Sequence, residues 1–472
     1  MPLILGTNSI KDTGYTVANS CMFDAASSAY ITRTFGSAGN RQKWTFSTWC
    51  KRCKFGAQQT LFGTSSGSSA YHLFYWGSDD TLVHNFNGTV TNASTGTGSL
   101  FRDPSAWYHV VCAVDTTQGT AANRVKLYVN GVSVGSGSYP DEDAEMTLNN
   151  NVRCDVGSSG AHFTSHMFGG YLAETVFIDG TQYAASDFGE FDEDSPTIWK
   201  PKDVSGLTFG TNGFWFDYED SGTLGNDANG GTDWTATNLA ATDQMTDTPI
   251  NNFATLNPLD NFYAGATFSE GNLTMATPTT AYAYVRSTLG MASGLWYAEC
   301  KITTAPADDH ANGVAFGPAT AATHAVGVND FGYGYRGDGS YQKNNNTASY
   351  GSAISAGDIL GIYLDLNANK VYFAINGTLQ NSGTGITVVA TTHVPEGELT
   401  TGFYHFACSD HATGGTYQFD WNFGAGTSYA VSSGNADANG YGNFEYDPSA
   451  GTFNGASKNF YALCTKNLAE FG

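Results

Sequence analysis

Basic residues are scarce: 20 Lys and Arg stand against 43 Asp and Glu in 472 residues, a formal net charge of −23. A polyanion gains nothing from releasing counterions at phosphates, so nucleic acid is not an expected partner. The acidic excess reads instead as what keeps an apolar-rich, edge-rich β protein soluble. Any run of about 20 apolar residues is also missing, and Met1-Pro-Leu-Ile-Leu-Gly6 has no basic n-region. Neither membrane insertion nor a secretory leader is therefore expected, and matches such as Asn87-Gly-Thr89 read as turn composition rather than glycosylation sites. The Gly-x-Ser-x-Gly spacings at 63–67 and 131–135 and the Gly-x-Gly-x-x-Gly spacing at 332–337 sit in strand-and-turn patterns without the following helix that a nucleophile elbow or a phosphate-cradling loop needs, which leaves nucleophilic and nucleotide chemistry without a motif.

In their place stand 57 glycines and 14% aromatic residues, the composition of short strands joined by many turns, and the expected class is all-β. The length suggests two to three domains. Alternating runs at 44–51, 71–76, 107–114, 125–129 and 170–178 have the rhythm of a first sandwich. Val125-Lys-Leu-Tyr-Val129 puts Val125, Leu127 and Val129 on one face, and Asn130-Gly131 supplies the positive-φ pair of a tight hairpin. The device recurs at Val371-Tyr-Phe-Ala-Ile-Asn-Gly377, among further strands expected at 296–302, 313–316, 359–365, 399–407 and 417–423. Two antiparallel sandwiches, each with its own hairpin, are the simplest account. Between them 220–262 is rich in Gly, Asn, Asp and Thr but carries Trp234, Leu239, Met245, Phe253 and Leu256, so it predicts an ordered connector laid on a sandwich surface. The expected organisation is a first domain at 1–219, the connector at 220–262, a second domain at 263–430, and a C-terminal extension at 431–472. The extension packs back on the second domain, with 460–466 as a final strand.

Particular stretches carry a resemblance. Phe46-Ser-Thr-Trp49, Trp107-Tyr-His-Val-Val111 leading to Asp115, Arg124-Val-Lys-Leu-Tyr-Val-Asn-Gly131 and Gly170-Tyr-Leu-Ala-Glu-Thr-Val-Phe-Ile-Asp-Gly180 resemble the laminin-G-like branch of the concanavalin A-like jelly rolls. Trp296-Tyr-Ala-Glu299, Gly313-Val-Ala-Phe316, Gly357-Asp-Ile-Leu-Gly-Ile-Tyr-Leu-Asp365 and Lys370-Val-Tyr-Phe-Ala-Ile-Asn-Gly377 resemble the SPRY family. The connector, through Asp233-Trp-Thr-Ala-Thr-Asn-Leu239, Asp247-Thr-Pro249 and Asn251-Asn-Phe-Ala-Thr-Leu-Asn257, looks like the joint of tailed-phage structural proteins that pair these modules. The resemblance spans residues 20–430 and implies two β-sandwiches (jelly rolls) with binding loops on rigid scaffolds.

Chemistry was sought against that background. Sugar sites stack aromatic rings on pyranose faces and ring them with planar polar groups. The best local match is 331–346, with Tyr333, Tyr335, Arg336, Asp338, Tyr341 and Lys343, a stretch that resembles part of the SPRY binding face; Tyr333 and Tyr335 also fit ordinary strand core. Laminin-G-like domains often hold calcium, for which hard oxygen ligands at Asp141 and Asp143, or at Asp79 and Asp80, are the candidates. No other cofactor is expected. Retaining glycosidases need two carboxylates on one face, and Glu190, Asp192 and Asp194 are the nearest approach, in what reads as a loop. Cys50-Lys-Arg-Cys53 sits in a strand pattern without the helix N-terminus or second pair that redox or zinc chemistry needs, and the eight cysteines are expected as free thiols. His162 and His166 lack a helix that would join them at a metal.

The resulting expectation is a non-enzymatic phage virion protein, a tail or head fibre or decoration subunit made in the host cytoplasm. It binds other virion proteins or host cell-surface polysaccharide, with a homo-oligomer, a trimer by analogy with fibres. The alternatives are a purely structural capsid or tail protein and a glycan hydrolase acting through Glu190 or Asp192.

Overall fold

The computed structural model describes residues 14–472 apart from 68–69, 87–92, 95–98, 135–136, 161–164, 264, 278–281, 305–309, 317–324, 330, 393–401 and 411–415. The described residues fall into two units, 14–250 and 251–472.

The first unit contains β1 (Ser20–Phe23), β2 (Tyr30–Thr34), β3 (Lys43–Arg52), β4 (Gln59–Gly67), β5 (Ala70–Trp76), β6 (Leu82–Phe86), β7 (Ala93–Ser94), β8 (Trp107–Asp115), β9 (Val125–Val129), β10 (Val132–Ser133), β11 (Arg153–Val156), β12 (Gly170–Asp179), β13 (Gly189–Phe191), β14 (Trp199–Pro201), β15 (Phe214–Phe216), β16 (Thr235–Thr237) and β17 (Gln244–Met245). One antiparallel sheet runs β10-β9-β8-β3-β12-β1-β17, with β15 also on β12; the facing sheet runs β16-β2-β11-β4-β5-β6-β7. Between them lies a core that includes Trp44, Phe46, Phe62, Phe74, Cys112 and Phe177. The outer face of the first sheet is buried too, where Val111, Ala113, Val176 and Ile178 pack under Phe188, Val204 and Phe209. With both faces covered, β3 and β12 are buried nearly throughout, polar residues included.

Strand β12 shows how tightly phase is held. Leu172 and Phe177 both enter the core although their positions differ by an odd number, and a bulge between Ala173 and Val176 absorbs the mismatch. The cost falls on Glu174, whose φ of 47° lies in the left-handed region that any residue with a Cβ disfavours.

The 220–262 stretch divides between the units. As far as Ile250 it belongs to the first, where β16 pairs with β2, β17 pairs with β1, and Trp234 enters the core. A closer bond comes from Asp247: Lys51 donates to its Oδ2 at 2.7 Å and Trp107 Nε1 to its Oδ1 at 2.9 Å. Both charges of the Lys51–Asp247 pair are buried. The next residue, Arg52, is equally buried, donating to Asp80 at 3.0 Å between the rings of Trp76 and Phe55. The Lys-Arg inside the Cys-x-x-Cys spacing is thus what this strand uses.

The second unit contains β18 (Thr267–Ser269), β19 (Thr274–Ala276), β20 (Ala283–Arg286), β21 (Leu295–Ile302), β22 (His310–Ala315), β23 (Gly332–Arg336), β24 (Ser340–Lys343), β25 (Asn346–Ser349), β26 (Ile359–Asp365), β27 (Lys370–Ile375), β28 (Thr378–Leu379), β29 (Ile386–Thr387), β30 (His405–Asp410), β31 (Gln418–Asn422), β32 (Tyr461–Ala462) and α1 (Thr465–Phe471). Its sheets run β18-β19-β31-β21-β26-β27-β28 and β20-β30-β22-β23-β24-β25. The outer face of the former, with Tyr297, Tyr363 and Tyr372, is covered by Phe444, Phe453 and Phe460 of the 431–472 extension. Glu299 fastens that cover: its buried carboxylate accepts the backbone N–H groups of Glu445 and Tyr446 at 3.1 and 2.8 Å and the hydroxyls of Tyr297 and Tyr429.

Both Asn-Gly hairpins form as expected, with φ of 48° and 77° at Asn130 and Gly131 and 48° and 75° at Asn376 and Gly377. The chain's end differs from expectation. Only Tyr461–Ala462 is strand, parallel to β21, and α1 follows because Leu468, Ala469 and Glu470 are helix formers lying beyond the apolar run.

Removing one member of a buried ion pair strands the other, so Asp247→Ala should cost about 3–5 kcal/mol in urea unfolding, and Lys51→Met with Asp247→Leu should recover most of it. A loss below about 1 kcal/mol, the range of an exposed pair, would contradict the assignment.

Candidate functional site

The 331–346 stretch forms β23 and β24, and its six candidate side chains do not converge. Directly opposed residues share a face, so Tyr341 lies on the side of Tyr335, and Lys343 on that of Tyr333. That side is the interior. Tyr333 and Tyr335 are fully buried, Tyr335 meeting Phe373 of the other sheet at 5.3 Å and Tyr333 meeting Tyr404 at 6.3 Å. Their hydroxyls are engaged as well: Tyr333 accepts from the Val389 amide and Tyr335 donates to the Ser352 carbonyl. Neither ring presents a face to a ligand, and this corrects the expectation of a binding role for them. Lys343 closes over Tyr333 at 5.2 Å while donating to the Thr387 carbonyl at 3.0 Å. Arg336 projects to the opposite face, registered with Ala311. Asp338 ties its own turn, accepting from the Ser340 amide at 2.8 Å and hydroxyl at 2.5 Å. Tyr341 stays half-exposed, edge-on to Tyr350.

The acidic candidates are fastened in the same manner. Asp80 is buried and binds Arg52 at 3.0 Å and Arg102 at 2.6 Å; burial pushes its carboxyl up, but the Gly56 amide and the two guanidinium groups outweigh it and leave it below the usual carboxylate range. Asp79 accepts from Thr81 and is exposed. Asp141 and Asp143 are exposed, and their neighbours Glu142 and Glu145 pair with Arg124 and Arg41. Among the described residues no group of three His, Cys, Asp or Glu side chains is placed to hold a metal ion. Glu190 lies in the β13–β14 hairpin rather than a loop, and Lys200 Nζ sits 3.8 Å from Glu190 and 3.3 Å from Asp192. Burial pushes Asp192 up, yet the Ser195 amide and Lys200 outweigh it and hold it below the usual carboxylate range, away from the raised value a general acid needs.

Ser47 and His109 imitate a catalytic pair, with Oγ 2.8 Å from Nε2. Trp199 Nε1, which can only donate, lies 3.0 Å from Nδ1. The free ring nitrogen is therefore Nδ1, Nε2 carries the proton and points it at Ser47, and the imidazole cannot take the serine's proton. The pair is also buried between Trp49 and Trp199. Cys50 and Cys53 are buried free thiols, each pushed up to about 12 by burial. His162 lies outside the described residues.

Sequence reading passed over two features. Glu174, at the bulge, accepts from Tyr15 and Trp215 at 3.1 Å each, and burial holds its carboxyl up near 8. Its only signal was an acid inside an apolar strand. The second is an exposed aromatic group at 259–286, which straddles the expected boundary between the connector and the second domain.

With this geometry in place, comparison with known proteins gives the families. Residues 24–186 match the model of the Concanavalin A-like lectin/glucanases superfamily, and residues 295–409 match that of the SPRY domain. The chain thus carries a concanavalin A-like domain followed by a SPRY domain, a mostly β protein of two β-sandwich folds. Among solved structures it is similar to stonustoxin, at 20% identity over 36% of this chain and 27% of that one, with a TM-score of 0.26. It is also similar to the SPRY domain of human HERC1, at 14% identity over 35% of this chain and 94% of that one, with a TM-score of 0.26. A third is a chain described as a "putative carbohydrate binding protein" from Bacteroides ovatus, at 16% identity over 47% of this chain and 59% of that one, with a TM-score of 0.35.

Buried groups set opposing pH dependences in the first unit. Burial holds His84 and His109 down at about 3, and lowers His72, whose Nε2 is 2.6 Å from that of His84. Such histidines contribute stability that is present above their unfolded value of about 6.5 and lost as pH falls toward 3. Glu174, raised from 4.5 to about 8, contributes stability present below 4.5 and lost as pH rises through 8. Wild-type thermal stability should thus fall as pH drops below 6, and Glu174→Gln should stabilise most at pH 8, its advantage closing by pH 5. A pH-independent difference between the two would contradict the burial of a protonated Glu174.

Proposed function

We propose that the protein is a non-enzymatic binding protein of a tailed-phage virion, a fibre or decoration subunit that recognises host cell-surface polysaccharide or neighbouring virion proteins. The phage assignment rests on the resemblance of the 233–257 segment to the joint of phage proteins with the same pair of modules. A binding role is what concanavalin A-like and SPRY domains suggest together. The observation that carries the non-enzymatic reading is Lys200 seated against both Glu190 and Asp192, which spends the nearest approach to a hydrolase pair on an ion-pair cluster. Weak individual contacts would be multiplied by display in many copies.

Purified protein should bind saturably on a glycan array or block adsorption of the phage to its host, and should release no sugar from polysaccharides it binds. Absence of saturable binding in both assays would leave a purely structural role. Cleavage abolished by Glu190→Gln or Asp192→Asn would instead make it a hydrolase.

A further inference from the structure

Of the six large apolar side chains that are prominently exposed among the described residues, three lie within 259–282: Leu259 at 55%, Phe262 at 51% and Tyr282 at 36%. They are not scattered. Tyr263 packs on the buried patch of Tyr284, Ala311 and Val326, and holds Phe262 at 4.9 Å and Tyr282 at 5.5 Å, each nearly perpendicular to it. Two exposed rings are thereby fixed around a third that is anchored to the outer face of the β20-β30-β22-β23-β24-β25 sheet. Rings immobilised before binding lose little entropy on contact.

Polar groups accompany the rings. Arg286, nine-tenths buried, donates from Nε to Asp260 at 2.5 Å, while its Nη1 is buried without a partner. Asn261 donates to the Ala266 carbonyl, while its Oδ1 is likewise buried without a partner. Asn261 directly precedes Phe262 and Arg286 ends the strand that begins just after Tyr282, so one orphan donor and one orphan acceptor belong to the same segments as the rings, and leaving such groups unmade is costly. A hydroxyl supplies both a donor and an acceptor on a single atom.

We propose that Phe262, Tyr263 and Tyr282, with Asp260, Asn261 and Arg286, form a binding subsite for a neutral pyranose of a glycan. The inference rests on the glycan reading above and places it. Sugar rings stack on Phe262 and Tyr282 through their C–H faces, and ring hydroxyls satisfy Arg286 Nη1 and Asn261 Oδ1 as neighbouring side chains shift to admit them. The ligand is neutral because Asp260 cancels Arg286 and a chain of charge −23 repels polyanions.

The test uses the full chain on an array carrying cello-, malto-, manno- and galacto-oligosaccharides beside uronic- and sialic-acid glycans. Wild type should bind a neutral member, and Phe262→Ala and Tyr282→Ala should each weaken it by about tenfold or more at unchanged Tm, since one exposed ring is worth roughly that factor. Arg286→Lys, which keeps the charge but lacks a second fork nitrogen, should weaken it as well. Neutral-glycan binding that both ring variants retain at wild-type strength would overturn the subsite and leave the glycan reading standing. Binding only to acidic glycans would overturn the neutral assignment. No glycan binding by wild type would remove the glycan reading and the subsite together. Sedimentation showing a wild-type dimer that Phe262→Ala dissociates would overturn the subsite by giving the face to a second copy of the chain.

Discussion

Carboxylates taken out of water and surrounded by donors from distant parts of the chain are what both units depend on. Short strands joined by long connections leave many backbone N–H groups outside any sheet ladder, and a buried N–H without an acceptor is costly. A carboxylate offers about four lone-pair sites, so one acid can serve several loops. Asp179 accepts from the Asn40 and Asn212 amides and the Asn149 side chain. Asp437 accepts from the amides of Asn439, Tyr441 and Ala462 and from Asn467. Asp247 and Glu299 do the same for the 220–250 and 431–472 segments. The acidic composition is in part this stitching, beyond its effect on solubility.

The same fastening decides what the chemistry can be. Asp80, Asp192 and Asp338 each looked available to a metal, a substrate or a ligand, and each is committed to a cation, to a turn or to both. Ser47 and His109 stand at bonding distance, yet the indole of Trp199 fixes the tautomer that rules out proton transfer from the serine. Binding surfaces must then be sought where polar valence is left over, and Arg286 and Asn261 are two of the residues of the second unit that leave it beside exposed rings.

Much of the fold was legible in the residues because period and turn chemistry are local. Val125, Leu127 and Val129, followed by Asn-Gly, announce a strand and its hairpin without reference to anything remote. Facing direction is another matter. Alternation groups Tyr333 with Tyr335 but cannot say that their side is the interior, which depends on Phe373 and Tyr404, 38 and more residues away. The burial of Lys51 and Arg52 is not visible in the strand pattern, because their partners, Asp247 and Asp80, are fixed only by the completed fold. The aromatic group at 259–286 was missed for a different reason: Phe262 fell at the end of the expected connector and Tyr282 twenty residues on in the second domain, and composition does not register three rings brought into mutual contact.

Glu299 offers the most direct test of the stitching, because it is bonded to backbone amides that no sheet ladder serves. Hydrogen exchange on Glu299→Leu, read residue by residue, should show protection lost at Glu445 and Tyr446 and through the 431–464 segment, while β21 and β26 exchange as slowly as before. Unchanged protection at Glu445 and Tyr446 would contradict the account.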